Sequence, residues 1–172
     1  HHYQGSVGRF NFASGSTNAF SAGTGTYGAM PGASVFTVGT AGNLMPNNST
    51  TDVISYCWHD VDGLQRFGTY EGNGNADGPY IHLGFRPRLF VQKRADSTGS
   101  WRVWDSERHT FSYPDAILRW GTDGAEDTAN GVVEFMAAGV KIRMTYSEMN
   151  ADGGKFIYMA WGDIPHRYNN AF

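Results

Sequence analysis

Charge is the first thing this chain has little of. Asp, Glu, Lys and Arg together make up 17% of its 172 residues, against roughly 25% in an average globular protein. The balance is −3, so no general attraction to nucleic acid or to an anionic membrane surface is expected. Cysteine is rarer still. Cys57 stands alone, which excludes an internal disulfide and leaves a small apolar residue expected in a buried strand. No apolar run reaches the length of a membrane span, and no signal-peptide pattern opens the sequence. The overlapping sequons at Asn47 and Asn48 are therefore read as a turn.

Signatures of familiar chemistry are missing as well. There is no Gly-x-Ser-x-Gly elbow for a serine nucleophile. His59, His82, His109 and His166 are far apart, and the single Cys57 lies near His59 alone, so no zinc-ligand spacing exists. His1 and His2 look like a tag remnant and carry no metal argument. No cofactor is expected.

What is present points one way. Glycine is abundant at 23 residues and aromatics make up 15% of the chain, a mixture that suits strands and tight turns and does not suit a helical bundle. The organising stretch runs from Val53 to Trp104. Short aromatic and β-branched runs alternate there with Asp62-Gly63, Asn73-Gly74, Gly78-Pro79 and Ser97-Thr98-Gly99, the punctuation of antiparallel strands. The fold expected is all-β: an antiparallel β-sandwich, jelly-roll-like. Residues 1–34 read as a Gly/Ser-rich arm or meander docked by spaced aromatics, and 35–172 as the sandwich domain.

Along the chain, strands are expected at Val35–Val38, at Val53–Trp58 (apolar on nearly every position) and at Gln65–Tyr70. Further strands fall at Tyr80–Leu83, at a half-buried run around Leu89 and Val91, and around Trp101–Trp104. Ile117–Trp120 fits a short strand or one helical turn. Val132–Met136 and the cleanly alternating Val140, Ile142 and Met144 follow, and Phe156–Trp161 is apolar on both faces. Asn-Ala-Asp-Gly occurs at 75–78 and again at 150–153, and each copy reads as a hairpin turn. The docked arm and the two-faced apolar strand together lead to the expectation of a homo-oligomer.

Three constellations merit weighing against plainer readings. Glu134 lies within an expected strand and Glu107, Glu148 and Asp163 near strand ends, but no spacing puts two on one strand face, as glycoside hydrolysis would need. No catalytic residue is assigned. Glu71, Asn73, Asn75 and Asp77 offer an oxygen at every second position, as a calcium loop does; the same residues are ordinary turn formers. Calcium is not expected to be needed for folding. Finally, six of the 13 basic residues lie between Arg86 and Arg108, interleaved with aromatics. Guanidinium and aromatic planes suit the faces and anionic groups of surface polysaccharide. Tyr80, Arg86, Arg88, Arg102 and Trp104 are the ligand candidates, with Arg102 and Trp104 sharing one strand face opposite Trp101 and Val103. The plainer reading has the aromatics in the core and the basic residues in water.

Several segments together resemble a known domain. These are Tyr56-Cys57-Trp58-His59-Asp60-Val61-Asp62-Gly63, Phe67-Gly68-Thr69-Tyr70-Glu71-Gly72-Asn73-Gly74, Gly84-Phe85-Arg86-Pro87, Lys93-Arg94-Ala95-Asp96-Ser97-Thr98-Gly99-Ser100-Trp101, Ala138-Gly139-Val140-Lys141-Ile142-Arg143 and Tyr158-Met159-Ala160-Trp161. Their order from about Val35 to Pro165 is similar to that of a β-domain in structural proteins of tailed, often marine, bacteriophages. The resemblance implies a lectin-like sandwich located in the virion, in a tail fibre or appendage. It implies a non-enzymatic role in host attachment or assembly, with other virion proteins and bacterial surface polysaccharide as partners. It carries no catalytic residues with it. A polysaccharide-degrading tailspike and a capsid-decoration protein are the alternatives.

Overall fold

The computed structural model describes residue 35 and residues 57–108, 116–121, 123–128 and 132–162, with the backbone alone at 2–3, 6–9 and 21–22. Three short strands near the start, β1 (His2–Tyr3), β2 (Ser6–Arg9) and β3 (Ser21–Ala22), pair antiparallel in the order β1-β2-β3. Two larger sheets form the body. One contains β4 (Gln65–Glu71), β6 (Pro87–Arg94), β7 (Trp101–Asp105), β8 (Leu118–Trp120) and β11 (Lys155–Gly162), in the order β4-β11-β6-β7-β8. The other contains β5 (Tyr80–His82), β9 (Val133–Met136) and β10 (Gly139–Ile142), in the order β5-β10-β9. All pairings are antiparallel. The chain is an all-β sandwich, as its composition leads one to expect.

The small sheet covers one face of the large one. Between them lie Ile81, Phe135, Val140 and Ile142 from the small sheet and Phe90, Trp104, Tyr158 and Ala160 from the large one. Each large side chain buried there stabilises the fold by about 1.5–3 kcal/mol relative to exposure. The rings also meet each other: Phe90 lies 5.8 Å from Trp104 and 6.0 Å from Tyr158, centroid to centroid. Tilted and offset contacts of this kind add to area burial.

The opposite face of the large sheet has its own buried cluster of Val91, Trp101, Val103, Ile157 and Met159. Two expectations change as a result. The strand around Leu89 and Val91 is not half-buried: from Phe90 to Lys93 every residue of β6 is buried, because β6 lies between β11 and β7 with both faces covered. And Phe156–Ala160, apolar on both faces, are already buried within the single chain, so that strand does not by itself call for a neighbouring copy.

Other differences are local. Cys57 is exposed and outside any strand, as are Trp58 and His59; no disulfide or core role follows. Val35 is exposed and unpaired to any strand, and the rest of the strand expected at Val35–Val38 and most of Val53–Trp58 lie outside the described residues. A four-residue helix, α1 (Ser147–Asn150), interrupts the path from β10 to β11. No helix among the described residues is long and apolar enough to cross a membrane.

Neither Asn-Ala-Asp-Gly copy is a hairpin turn. The first lies in the loop from β4 to β5, which crosses between sheets; the second links α1 to β11. The two loops instead dock on each other and prolong the β4–β11 ladder. Gly72 N–H donates to Gly154 O at 2.9 Å, Gly153 N–H to Gly72 O at 3.0 Å and Gly74 N–H to Asn150 O at 2.9 Å. Buried Asn150 completes the joint. Its Oδ1 accepts from Asn73 N–H at 2.8 Å, and its Nδ2 donates to Asn75 O at 2.6 Å and Met144 O at 2.8 Å.

Candidate functional site

The outer face of the small sheet is where exposed aromatic and charged side chains converge. Strand β5 alternates Tyr80 out, Ile81 in, His82 out, as a pleat requires. Strand β10 buries Val140 and Ile142 and so turns Gly139 and Lys141 outward, while β9 buries Val133 and Phe135 and turns Glu134 and Met136 outward. Register places Lys141 directly between Tyr80 and Glu134, and Gly139 between His82 and Met136. Backbone hydrogen bonds from Gly78 N–H to Ile142 O and from Ile142 N–H to Pro79 O, both 3.1 Å, hold the start of β5 against the end of β10.

Tyr80 does not stand away from the sheet. Its phenol end lies over Gly139: a Cβ there would come within 2.8 Å of the Tyr80 hydroxyl and 2.9 Å of its Cζ. Glycine is needed at 139 because any side chain would displace the ring and meet the Ile81 carbonyl at 2.2 Å. The ring remains 45% exposed, and the His82 ring is 6.3 Å from it. Met136, 38% exposed, lies across Gly139 from His82. The two rings are tilted 52° to each other, and a part-exposed aromatic surface with an apolar margin results.

Beside it runs a continuous chain of charge pairs. Lys141 Nζ is 2.9 Å from Asp77 Oδ1, and Arg143 Nη1 is 3.1 Å from the same oxygen. Arg143 also donates from Nε at 2.8 Å and Nη2 at 2.6 Å to Glu134 Oε2. The hydrogen bond from Lys141, together with the charges of Lys141 and Arg143, holds the Asp77 carboxyl below its usual range. Two cations and two carboxylates thus cancel within one strip of surface.

A family model described as a domain of unknown function, DUF7483, matches residues 8–165. The chain belongs to the DUF7483 family. No curated protein and no solved structure matches it.

Within this DUF7483 domain, the ligand candidates read from sequence are scattered. Tyr80 lies on the face just described. Arg86 is exposed in the bend after β5, and Arg88 is exposed at the start of β6, 3.4 Å from Glu107. Trp104 and Arg102 are not surface residues. They do share a face of β7, but it is the face turned into the sandwich: Trp104 has 0% and Arg102 1% exposure. Alternation put them on one side together, but that side is not the outer face expected: Trp104 packs in the cluster beneath the small sheet, and Arg102 is covered by Glu148, Tyr146 and Asp127.

Arg102 is held there by charge. Its Nη2 donates to Glu148 Oε2 at 2.8 Å, its Cζ lies 4.8 Å from the Tyr146 ring centroid, and Nη1 is 4.0 Å from Asp127 Oδ2. Arg119, its cross-strand neighbour, also pairs with Asp127. This is a structural ion network.

The calcium candidates are engaged elsewhere. Asn73 Oδ1 accepts from Asn75 N–H at 3.0 Å, and Asn75 Oδ1 accepts from Asp77 N–H at 3.1 Å, successive side-chain turns of the kind asparagine makes. Glu71 pairs with Lys155, and Asp77 with Lys141 and Arg143. Among the described residues no group of three or more His, Cys, Asp or Glu could hold a metal ion. Of the acids weighed for hydrolysis, Glu134, Glu148 and Glu107 each pair with an arginine; Asp163 lies outside the described residues.

Sequence reading missed His82, Glu134 as a partner of Arg143, Lys141 and Gly139 as members of one surface. The outward direction of Lys141 and Arg143 was legible from the alternation of Val140 and Ile142. Their meeting with Tyr80 and Asp77 depends on a strand pairing some 60 positions apart in the chain, which no local pattern encodes.

Proposed function

We propose that this DUF7483 domain is a non-enzymatic glycan-binding module of a phage virion structural protein, in a tail fibre or appendage, serving host attachment. The observation that carries the binding half is the Tyr80 ring, its phenol end over Gly139 and the ring left 45% open to solvent, beside polar groups that can hydrogen-bond sugar hydroxyls. Aromatic rings of this kind offer a stacking plane at low entropic cost, and a few fixed polar groups beside them set orientation. The virion setting rests on the sequence resemblance alone. Repeated copies in a fibre, a trimer for instance, would raise avidity without new contacts.

Asp77 on this face does not suit the acid role of the hydrolase alternative. A glycosidase needs one carboxyl kept protonated by a raised pKa. Asp77, on this face, is shifted the other way by Lys141. The test is to incubate the protein with host surface polysaccharide and follow both binding and chain length. Binding that Tyr80→Ala abolishes, with the polymer left intact, is expected. Release of oligosaccharide would reject the reading, and locating the domain in the capsid shell of a particle map would favour the decoration alternative.

A further inference from the structure

The chain of charge pairs on the small sheet says which sugars this face takes. Resting on the glycan reading above, we infer that it selects neutral sugars carrying adjacent hydroxyls and rejects acidic ones. Both cations of the strip are already matched: Lys141 to Asp77, and Arg143 to Asp77 and Glu134. An incoming uronate carboxylate meets no uncompensated positive charge. It meets Asp77, whose side chain is 74% exposed, and like charge at close range disfavours it.

A pair of adjacent hydroxyls has the opposite fit. Each hydroxyl donates one hydrogen bond and accepts others. One pair therefore donates to the Asp77 carboxylate and accepts from the Lys141 ammonium or Arg143 guanidinium, without any charge being stripped of its partner. Charge-assisted bonds of this sort are stronger than neutral ones. Lys141 lies directly opposite Tyr80 in the ladder, so a pyranose resting its apolar face on Tyr80 brings its rim hydroxyls over the strip.

The test uses the full chain and residue-resolved amide NMR. The probes are neutral gluco-, galacto- and manno-oligosaccharides and, in parallel, oligogalacturonate. At least one neutral series is expected to shift the Tyr80, His82 and Lys141 signals with a Kd of about 1 mM, and oligogalacturonate to bind at least about tenfold more weakly. Tyr80→Ala should abolish neutral binding while Tyr80→Phe keeps it. Asp77→Asn leaves Lys141 uncompensated and should strengthen oligogalacturonate binding by about tenfold. Tyr80-dependent binding of oligogalacturonate as tight as any neutral sugar would overturn the selectivity while leaving glycan binding intact. If no sugar of either class moves these signals, the glycan reading fails with it.

Discussion

Trp104 has no exposed surface and touches Phe90 across the ladder, so Trp104→Ala should destabilise the fold by about 3–5 kcal/mol. Arg102→Ala should cost a similar amount, about 3–5 kcal/mol, because it strands the Glu148 carboxylate and opens a hole beneath Tyr146. Urea unfolding measures both, and restoring neutrality with Glu148→Gln in the Arg102→Met background should recover part of the loss. Lys93 is a second buried cation. It has 0% exposure, donates to Gly99 O at 2.6 Å, and burial pushes its pKa down to about 8, against the pull of Glu148. The unfolded chain therefore holds more protons than the folded one between pH 8 and 10.5. Stability should rise with pH across that window, and the gain is lost again as pH falls through 8. Tyr70 and Tyr158, raised above 10.0 chiefly by burial, work in the opposite direction at higher pH. The rise should thus be clearest between pH 8 and 10 in urea midpoints, and Lys93→Met should flatten it. Residues such as Lys93 and Arg102 are the hardest to place from sequence: a long cation on a strand reads as solvent-facing, and only a non-local carboxylate makes its burial tolerable.

At the level of elements, the strands were largely legible and their partners were not. Runs such as Gln65–Glu71 and Lys155–Gly162 announce themselves by aromatic and β-branched content between glycine-rich breaks. Helix α1, at four residues, is too short to show a helical period. The docking of the 72–78 loop on the 150–154 loop likewise has no local signature beyond the repeated tetrapeptide. Asn150 is the side chain that joins them, so Asn150→Ala should leave several part-buried backbone groups unpaired, at about 1–3 kcal/mol. Hydrogen exchange at the Asn73 amide should speed up more than at Phe156 in the neighbouring strand. Since the Asn73 and Asn75 oxygens already accept backbone N–H groups, adding calcium or a chelator should leave the melting temperature unchanged; a calcium-dependent rise would return Glu71 and Asp77 to candidacy as ligands. Glycine opposite tyrosine recurs as a device. Tyr158 lies over Gly68 inside the sandwich just as Tyr80 lies over Gly139 outside it, and Gly139→Ala should displace the outer ring and also force the Ile81 backbone away, weakening the β5–β10 pairing along with any ligand resting there.

For the molecule as a whole, the decisive fact is that β6, β7 and β11 carry both apolar clusters, one on each face. An all-β composition predicts a sandwich, but composition alone does not tell a strand covered on one side from a strand covered on both. That shared set of strands has a thermodynamic consequence. If the clusters were held by separate elements, they could melt separately; because the same backbone supports both, loss of either face should unfold the other. Ile142 has 0% exposure in the cluster under the small sheet, and Ile157 has 1% on the far face. Ile142→Ala and Ile157→Ala should each cost about 2–5 kcal/mol. Each should also shift the urea midpoint of the whole domain without changing the slope, since the surface exposed on unfolding is the same. Following the amide signals of Val140 in the small sheet and Met159 in the large one through a urea titration checks this directly. One midpoint for both residues, in the parent chain and in either variant, is the expected result. Separate midpoints, with Ile157→Ala lowering only that of Met159, would mean that the small sheet holds its own face together without the cluster behind it.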